Sequence, residues 1–170
     1  MREDNTNESG NFIDEEKKPV GYLFRHRFPW LVLGLFGGML TSVVISKYEA
    51  ILSQDLRLAF FIPIIVYMSD AVGTQTETLY VRGLVKNHTK FLTHLLKETL
   101  LGLGIGGIFG VALGVFAYIW LGSLAVGLTV GLAMFISVTI APVLASTIPA
   151  LLSREHYDPA FGSGPLATII

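Results

Sequence analysis

The sequence contains no cysteine. This absence removes disulfides, thiolate metal sites and cysteine nucleophiles together, and it leaves the redox compartment unreadable. Charge is scarce as well: Asp, Glu, Lys and Arg make up 15% of the residues and the formal net charge is −1. There is thus no surplus of Lys and Arg to gather against the phosphates of a nucleic acid. What fills the chain instead is apolar: 52% of its 170 residues are hydrophobic and its mean hydropathy is strongly positive. A chain of this composition needs a nonaqueous solvent, and the fold class it implies is all-α, a polytopic transmembrane helix bundle.

The stretch from Met1 to Lys18 mixes Asp, Glu, Asn, Ser and Lys with almost nothing apolar, so residues 1–18 are expected to form a short disordered cytoplasmic tail. A secretory signal has a positive start and an early apolar stretch. Here acids come first and the apolar stretch begins near Phe28, so the first span is expected to be retained.

Residues 19–170 read as one transmembrane domain. No charged side chain interrupts Phe28 to Ser46, which predicts a first span over 28–46. A second span, 58–81, contains only Asp70 and Glu77 as charged residues. Thr99 to Ser153 is uncharged and too long for one crossing, with Leu121, Gly122 and Ser123 as its natural turn, which predicts spans over 99–120 and 124–152. A last apolar piece, 162–170, is too short to cross and reads as the start of a fifth helix. Trp30, Tyr118 and Trp120 fall near span ends, where amphipathic rings favour the headgroup level. Leu84, Val85, His88, Phe91, Leu92, Leu95 and Leu96 recur at helical spacing opposite Lys86, Lys90 and Lys97, which predicts an interfacial amphipathic helix over about 83–97. Arg25, Arg27, Arg82, Lys86, Lys90, Lys97 and Arg154 all fall on one side of this topology, against only Lys47 and Arg57 on the other. The amino terminus is therefore expected in the cytoplasm of a multi-pass cell-membrane protein.

Gly102, Gly104 and Gly107 have the spacing of a dinucleotide fingerprint, but that motif needs a preceding strand and a βαβ unit, which an uncharged membrane span does not supply. Close helix packing explains the glycines better: Gly106, Gly110 and Gly114 line one face, as do Gly34 with Gly38 and Gly127 with Gly131. Pro142 and Pro149 imply kinks in the fourth span. His26, His88, His94 and His156 lack the spacing of a metal site and read as solvated headgroup histidines. No base stands at a recognisable spacing from any Ser or Thr of the spans, so hydrolysis has no support and an enzyme is not expected.

Asp70 and Glu77 are the exceptional residues. A carboxylate at membrane depth costs roughly 2.5–3.5 kcal/mol on insertion scales unless it is neutralised or faces water. Seven positions apart, they project about 20° from one another on a helix, with Gly73 and Thr74 between them. The stripe is rich in oxygen, and its glycine lets a neighbouring backbone or a hydrated ion come close. Oxygen ligands without sulfur favour a hard cation such as Mg²⁺ or Ca²⁺ over zinc or copper. The plain alternative is a Glu77 solvated at the membrane boundary.

Pro63, Met68, Gly73, Thr74 and Gln75, followed by Arg82, Gly83 and Leu84, resemble the second span of the MgtE-type magnesium and divalent cation transporter family and its eukaryotic solute-carrier relatives. A second match follows the fourth span: Pro149, then Asp158, Pro159 and Ala160, then Ser163, Gly164, Pro165 and Thr168, resembles the family's entry into its fifth helix. The resemblance covers roughly Pro29 to Ile170. It implies a homodimer of five-helix protomers, with an ion path at the shared interface lined by the second and fifth helices and Gly73, Thr74 and Gln75 beside the pore. This chain departs from the family pattern of Gly-Asn before Ala-Gly-Thr-Gln, carrying Asp70 and Ala71 before Val72. The family's large cytoplasmic sensor domains have no counterpart in the sequence. The resemblance also places a fifth-helix aspartate two residues beyond Ile170, so a truncation, or a separate chain supplying the rest, is expected.

The leading expectation is a divalent cation transporter or channel, with Mg²⁺ as transported ion and no cofactor. Asp70, Gly73, Thr74, Gln75 and Glu77 would line its ion path, and its partners would be lipid, a second copy and a possible regulatory chain. One alternative is a noncatalytic membrane scaffold subunit whose acids pair with cations of a partner. The other is a proton-coupled carrier of another solute, in which Asp70 titrates.

Overall fold

The computed structural model describes residues 18–85, 90–155, 157 and 159–169. Most of the tail, together with Lys86, His88, His156, Asp158 and Ile170, lies outside the described residues. The elements are α1 (Val20–Ser46), α2 (Glu49–Leu52), a 3-10 stretch (Leu56–Phe61) leading into α3 (Ile62–Val85), α4 (Phe91–Leu121), α5 (Leu124–Arg154) and α6 (Pro159–Ile169), with no strand among the described residues. Among the described residues four helices are long and apolar enough to cross a membrane, and α6 is a further apolar helix of 11 residues. The architecture is an all-α transmembrane bundle.

The helices outrun the uncharged stretches. α1 starts at Val20, not near Phe28, because Arg25 and Arg27 at the span's edge do not break a helix. α4 is one unbroken helix of 31 residues, about 46 Å at 1.5 Å per residue, longer than the hydrocarbon layer. This corrects the interfacial helix expected over about 83–97. Gly83 and Leu84 finish α3, whereas Phe91 to Lys97 form the first turns of α4. Nothing between Phe91 and Thr99 stops a helix, so the amphipathic pattern continues into the span in one piece.

The turn at Leu121 to Ser123 has clear local causes. Gly122 takes the left-handed conformation (φ 64°) and donates its N–H to Tyr118 O at 2.9 Å, closing α4 as only a residue without a Cβ does at no cost. Ser123 then opens α5, its Oγ accepting from Val126 N. At this same end Arg57 holds Asp55 in a 2.7 Å ion pair and donates to Leu121 O, the exposed carbonyl end of α4. The Arg57 hydrogen bonds hold the Asp55 carboxyl below the usual carboxylate range. At the other end the Trp30 ring meets Tyr157 edge-on, 5.9 Å between centroids.

α5 is the central helix, burying Met134, Val138, Pro142, Ala145, Ser146 and Pro149. It packs most extensively on α4 and also touches α3 and α6, while α1 packs on α6. Glycine sets the α4–α5 distance. A Cβ on Gly106 would stand 2.9 Å from Phe135 O, one on Gly110 2.7 Å from Gly131 O, and one on Gly114 2.9 Å from Gly127 O. The relation is reciprocal at Gly127 and Gly131, so both backbones meet directly. Gly102 makes room for Pro142, whereas Gly104 and Gly107 touch nothing within 4 Å. All three lie within one helix, with no strand or phosphate-cradling loop. On α1 the packing pair is Gly34 with Gly37, against Pro165 and Ile169; Gly38, expected to share that role, has open space. Gly37 is one residue earlier, on the side where α6 lies.

Candidate functional site

The fold turns one side of α3 toward its neighbours and leaves another open. Val72, Thr76 and Tyr80, a turn apart, are buried. Gly73 lies beside this face toward α5, where a Cβ would reach Ala141 at 3.7 Å. Asp70, Thr74, Gln75 and Thr78 are exposed, with Thr78 Oγ1 donating to Thr74 O at 2.8 Å. Asp70 has no ion pair among the described residues. The expected stripe is therefore divided: Asp70 and Thr74 face outward, Gly73 faces α5 and Glu77 turns to α6.

Glu77 is half-buried, and its Oε1 accepts a hydrogen bond from the Oγ of Ser163, a fully buried residue of α6. The two segments that carried the family resemblance thus meet side chain to side chain. A solvated Glu77 at the membrane boundary does not describe this contact. Pro159 is buried at the first position of α6, where its missing N–H costs no helical bond. Pro165 packs under Gly34, and the exposed Thr168 donates to Gly164 O at 3.0 Å. Pro63 is exposed in the first turn of α3, and Arg82 sits in the last, where its charge suits the carbonyl end of the helix.

A third carboxylate escaped the sequence reading. Glu98 of α4 accepts from Thr76 Oγ1 at 2.7 Å, and Thr76 is only 3% exposed. Tyr80 and His94 extend this junction, their rings 4.9 Å apart. His94 Nε2 is buried without a hydrogen-bond partner among the described residues, which corrects the view of this residue as a solvated headgroup histidine. His26 stacks on Tyr22 at 4.0 Å. The available signal was the i, i+4 pair His94 and Glu98 at the edge of the uncharged stretch. The three carboxylates point to different surroundings, and the described residues include no group of three or more His, Asp or Glu able to hold a metal ion. A single copy offers one acid, Asp70, and the hydroxyls of Thr74 and Thr78 on an open helix face, suited to attracting a hydrated cation rather than enclosing a bare one.

Residues 62–170 match a family model described as MgtE, divalent cation transporter. The chain is 36% identical over 147 residues to the magnesium transporter MgtE of Enterococcus faecalis (85% of this chain, 32% of the relative). It is 33% identical over 165 residues to that of Bacillus subtilis (95% and 36%) and 29% identical over 163 residues to that of Thermus thermophilus (94% and 36%). The chain spans about a third of the length of these curated relatives.

Proposed function

Because the chain belongs to the MgtE family of divalent cation transporters, we propose that it conducts a divalent cation, Mg²⁺ foremost, across the membrane through a path lined by α3 and α6 of two copies. One observation carries this reading: a helix apolar enough to cross the bilayer leaves Asp70, Thr74, Gln75 and Thr78 exposed along one side. Acyl chains are a poor solvent for that face, so a second copy related by a twofold axis is its natural cover. Two Asp70 carboxylates would then stand across a water-filled path. Mg²⁺ gives up water reluctantly, so the carboxylates act through the ion's water shell, and selection rests on charge and width. No covalent step is involved. The excess of Arg and Lys on one side supports a cytoplasmic amino terminus.

The test is Mg²⁺ uptake into proteoliposomes by the full chain and by Asp70→Asn at matched incorporation and helicity. The substitution preserves volume and removes one charge per copy, two at the axis. Uptake at sub-saturating Mg²⁺ is expected to fall roughly tenfold or more, with folding intact. Equal rates at low and high Mg²⁺ would make Asp70 structural. Solute uptake driven by a pH gradient without divalent ions would select the proton-coupled carrier instead.

A further inference from the structure

α6 carries a proline inside it: Pro165 lacks the N–H that would bond back to Phe161, so neighbouring helices take a larger part in setting its register. Pro165 and Ile169 rest against α1, and Gly162 fits beside Trp30 and Leu152. These contacts are apolar and tolerate sliding. The contact to α3 is of another kind: Ser163 is 0% exposed, and its hydroxyl faces Glu77 Oε1, with Pro159 O of its own helix 2.5 Å away. A Cβ on the following residue, Gly164, would lie 3.8 Å from the same carboxylate oxygen. One turn before Glu77, Gly73 seats α3 on Ala141 of α5, so the carboxylate projects from a fixed place.

We infer that Glu77 is the positioning residue of the α3–α6 junction, fixing the register of α6 through Ser163 rather than binding the transported ion. Of the two span carboxylates on α3, Asp70 is exposed with no ion pair among the described residues, whereas Glu77 is half-buried and engaged. Their work divides accordingly. Asp70 attracts cations, and Glu77 keeps α6 in place beside that path. The transport consequence rests on the function proposed above; the structural assignment does not.

The test pairs amide hydrogen exchange on the full chain in nanodiscs with Mg²⁺ uptake. Glu77→Leu and Ser163→Ala should each lower protection of the α6 amides about tenfold while leaving α4 and α5 unchanged, as expected for one hydrogen bond to a charged group. Ser163→Ala also removes the hydroxyl's contact with Pro159 O, so the two changes together should do little more than Ser163→Ala alone. Glu77→Gln keeps an oxygen acceptor for Ser163 and should restore most of the protection. In uptake, Glu77→Leu should lower the maximal rate several-fold and leave the half-saturating Mg²⁺ concentration within about twofold. Unaltered α6 exchange in Glu77→Leu would overturn the assignment. So would a several-fold rise in half-saturation in Glu77→Gln with α6 protection intact, which is the behaviour of an ion ligand. If the unsubstituted chain moves no Mg²⁺, the function proposed above fails, and the exchange data still decide the role of Glu77.

Discussion

Thr76 and Glu98 form a contact whose energetics is set by burial. The hydroxyl is almost fully covered, and its acceptor is a carboxylate in the first turns of α4, next to the uncharged stretch of that helix. Removing the donor leaves that carboxylate with one fewer partner in a medium that solvates it poorly. Thr76→Val, nearly identical in shape, is expected to cost about 1–2 kcal/mol, lowering the apparent Tm in detergent by about 2–6 °C. Glu98→Gln retains an acceptor and should cost less. Equal melting of Thr76→Val and the unsubstituted chain would show that the bond contributes nothing measurable. The sequence displays Asp70 and Glu77 as anomalies because each interrupts an apolar run. Glu98 follows Lys97 and blends into a charged flank. What distinguishes it is the rotation of α4 against α3, which depends on packing and which no spacing along one helix encodes.

Among the helices, the α4–α5 pair makes the firmest prediction. At Gly110 even a Cβ would stand 2.7 Å from a backbone carbonyl that has nowhere to move, because Gly131 meets Gly110 O in return. Gly110→Leu should therefore push the helices apart and cost about 2–3 kcal/mol, read as a fall in Tm in detergent. Gly104, on the same helix with nothing within 4 Å, is the control: Gly104→Leu should leave Tm nearly unchanged. Similar losses for both variants would show that the loss at Gly110 does not come from the close approach of the two backbones there. The small-residue spacing that identifies this seam was legible in the sequence, as was the Gly122 turn, since both depend on local chemistry. The starts of α1 and α4 were not. Charge marks where a helix leaves hydrocarbon, whereas a helix stops only where its backbone bonds stop, and residues 20–27 and 91–98 carry charge on an intact helix. Gly37 replaced Gly38 at the α6 contact for the same reason that hid Glu98: spacing gives a face, and packing chooses its angle.

For the whole molecule the open question is what covers the polar side of α3. Thr74 lies between Asp70 and Thr78 on that side, all three exposed. If two copies meet about a twofold axis there, each residue near the axis faces its own counterpart. The chain lacks cysteine, so a single introduced thiol reports this arrangement without background. Thr74→Cys in native membranes should give a covalent dimer with a short bis-maleimide, whereas Leu128→Cys, exposed on α5, should stay monomeric under the same treatment. Charge sharpens the test. Two Asp70 carboxylates across the axis repel each other until a cation lies between them, so an ion that binds the pair stabilises the dimer by mass action. Added Mg²⁺ should raise the cross-linked fraction of Thr74→Cys. In the double variant Thr74→Cys, Asp70→Asn the fraction should already be high without Mg²⁺ and should not respond to it. Cross-linking at Leu128 comparable to that at Thr74 would indicate random collision in the membrane. A Mg²⁺ response that survives Asp70→Asn would place the ion elsewhere on the interface.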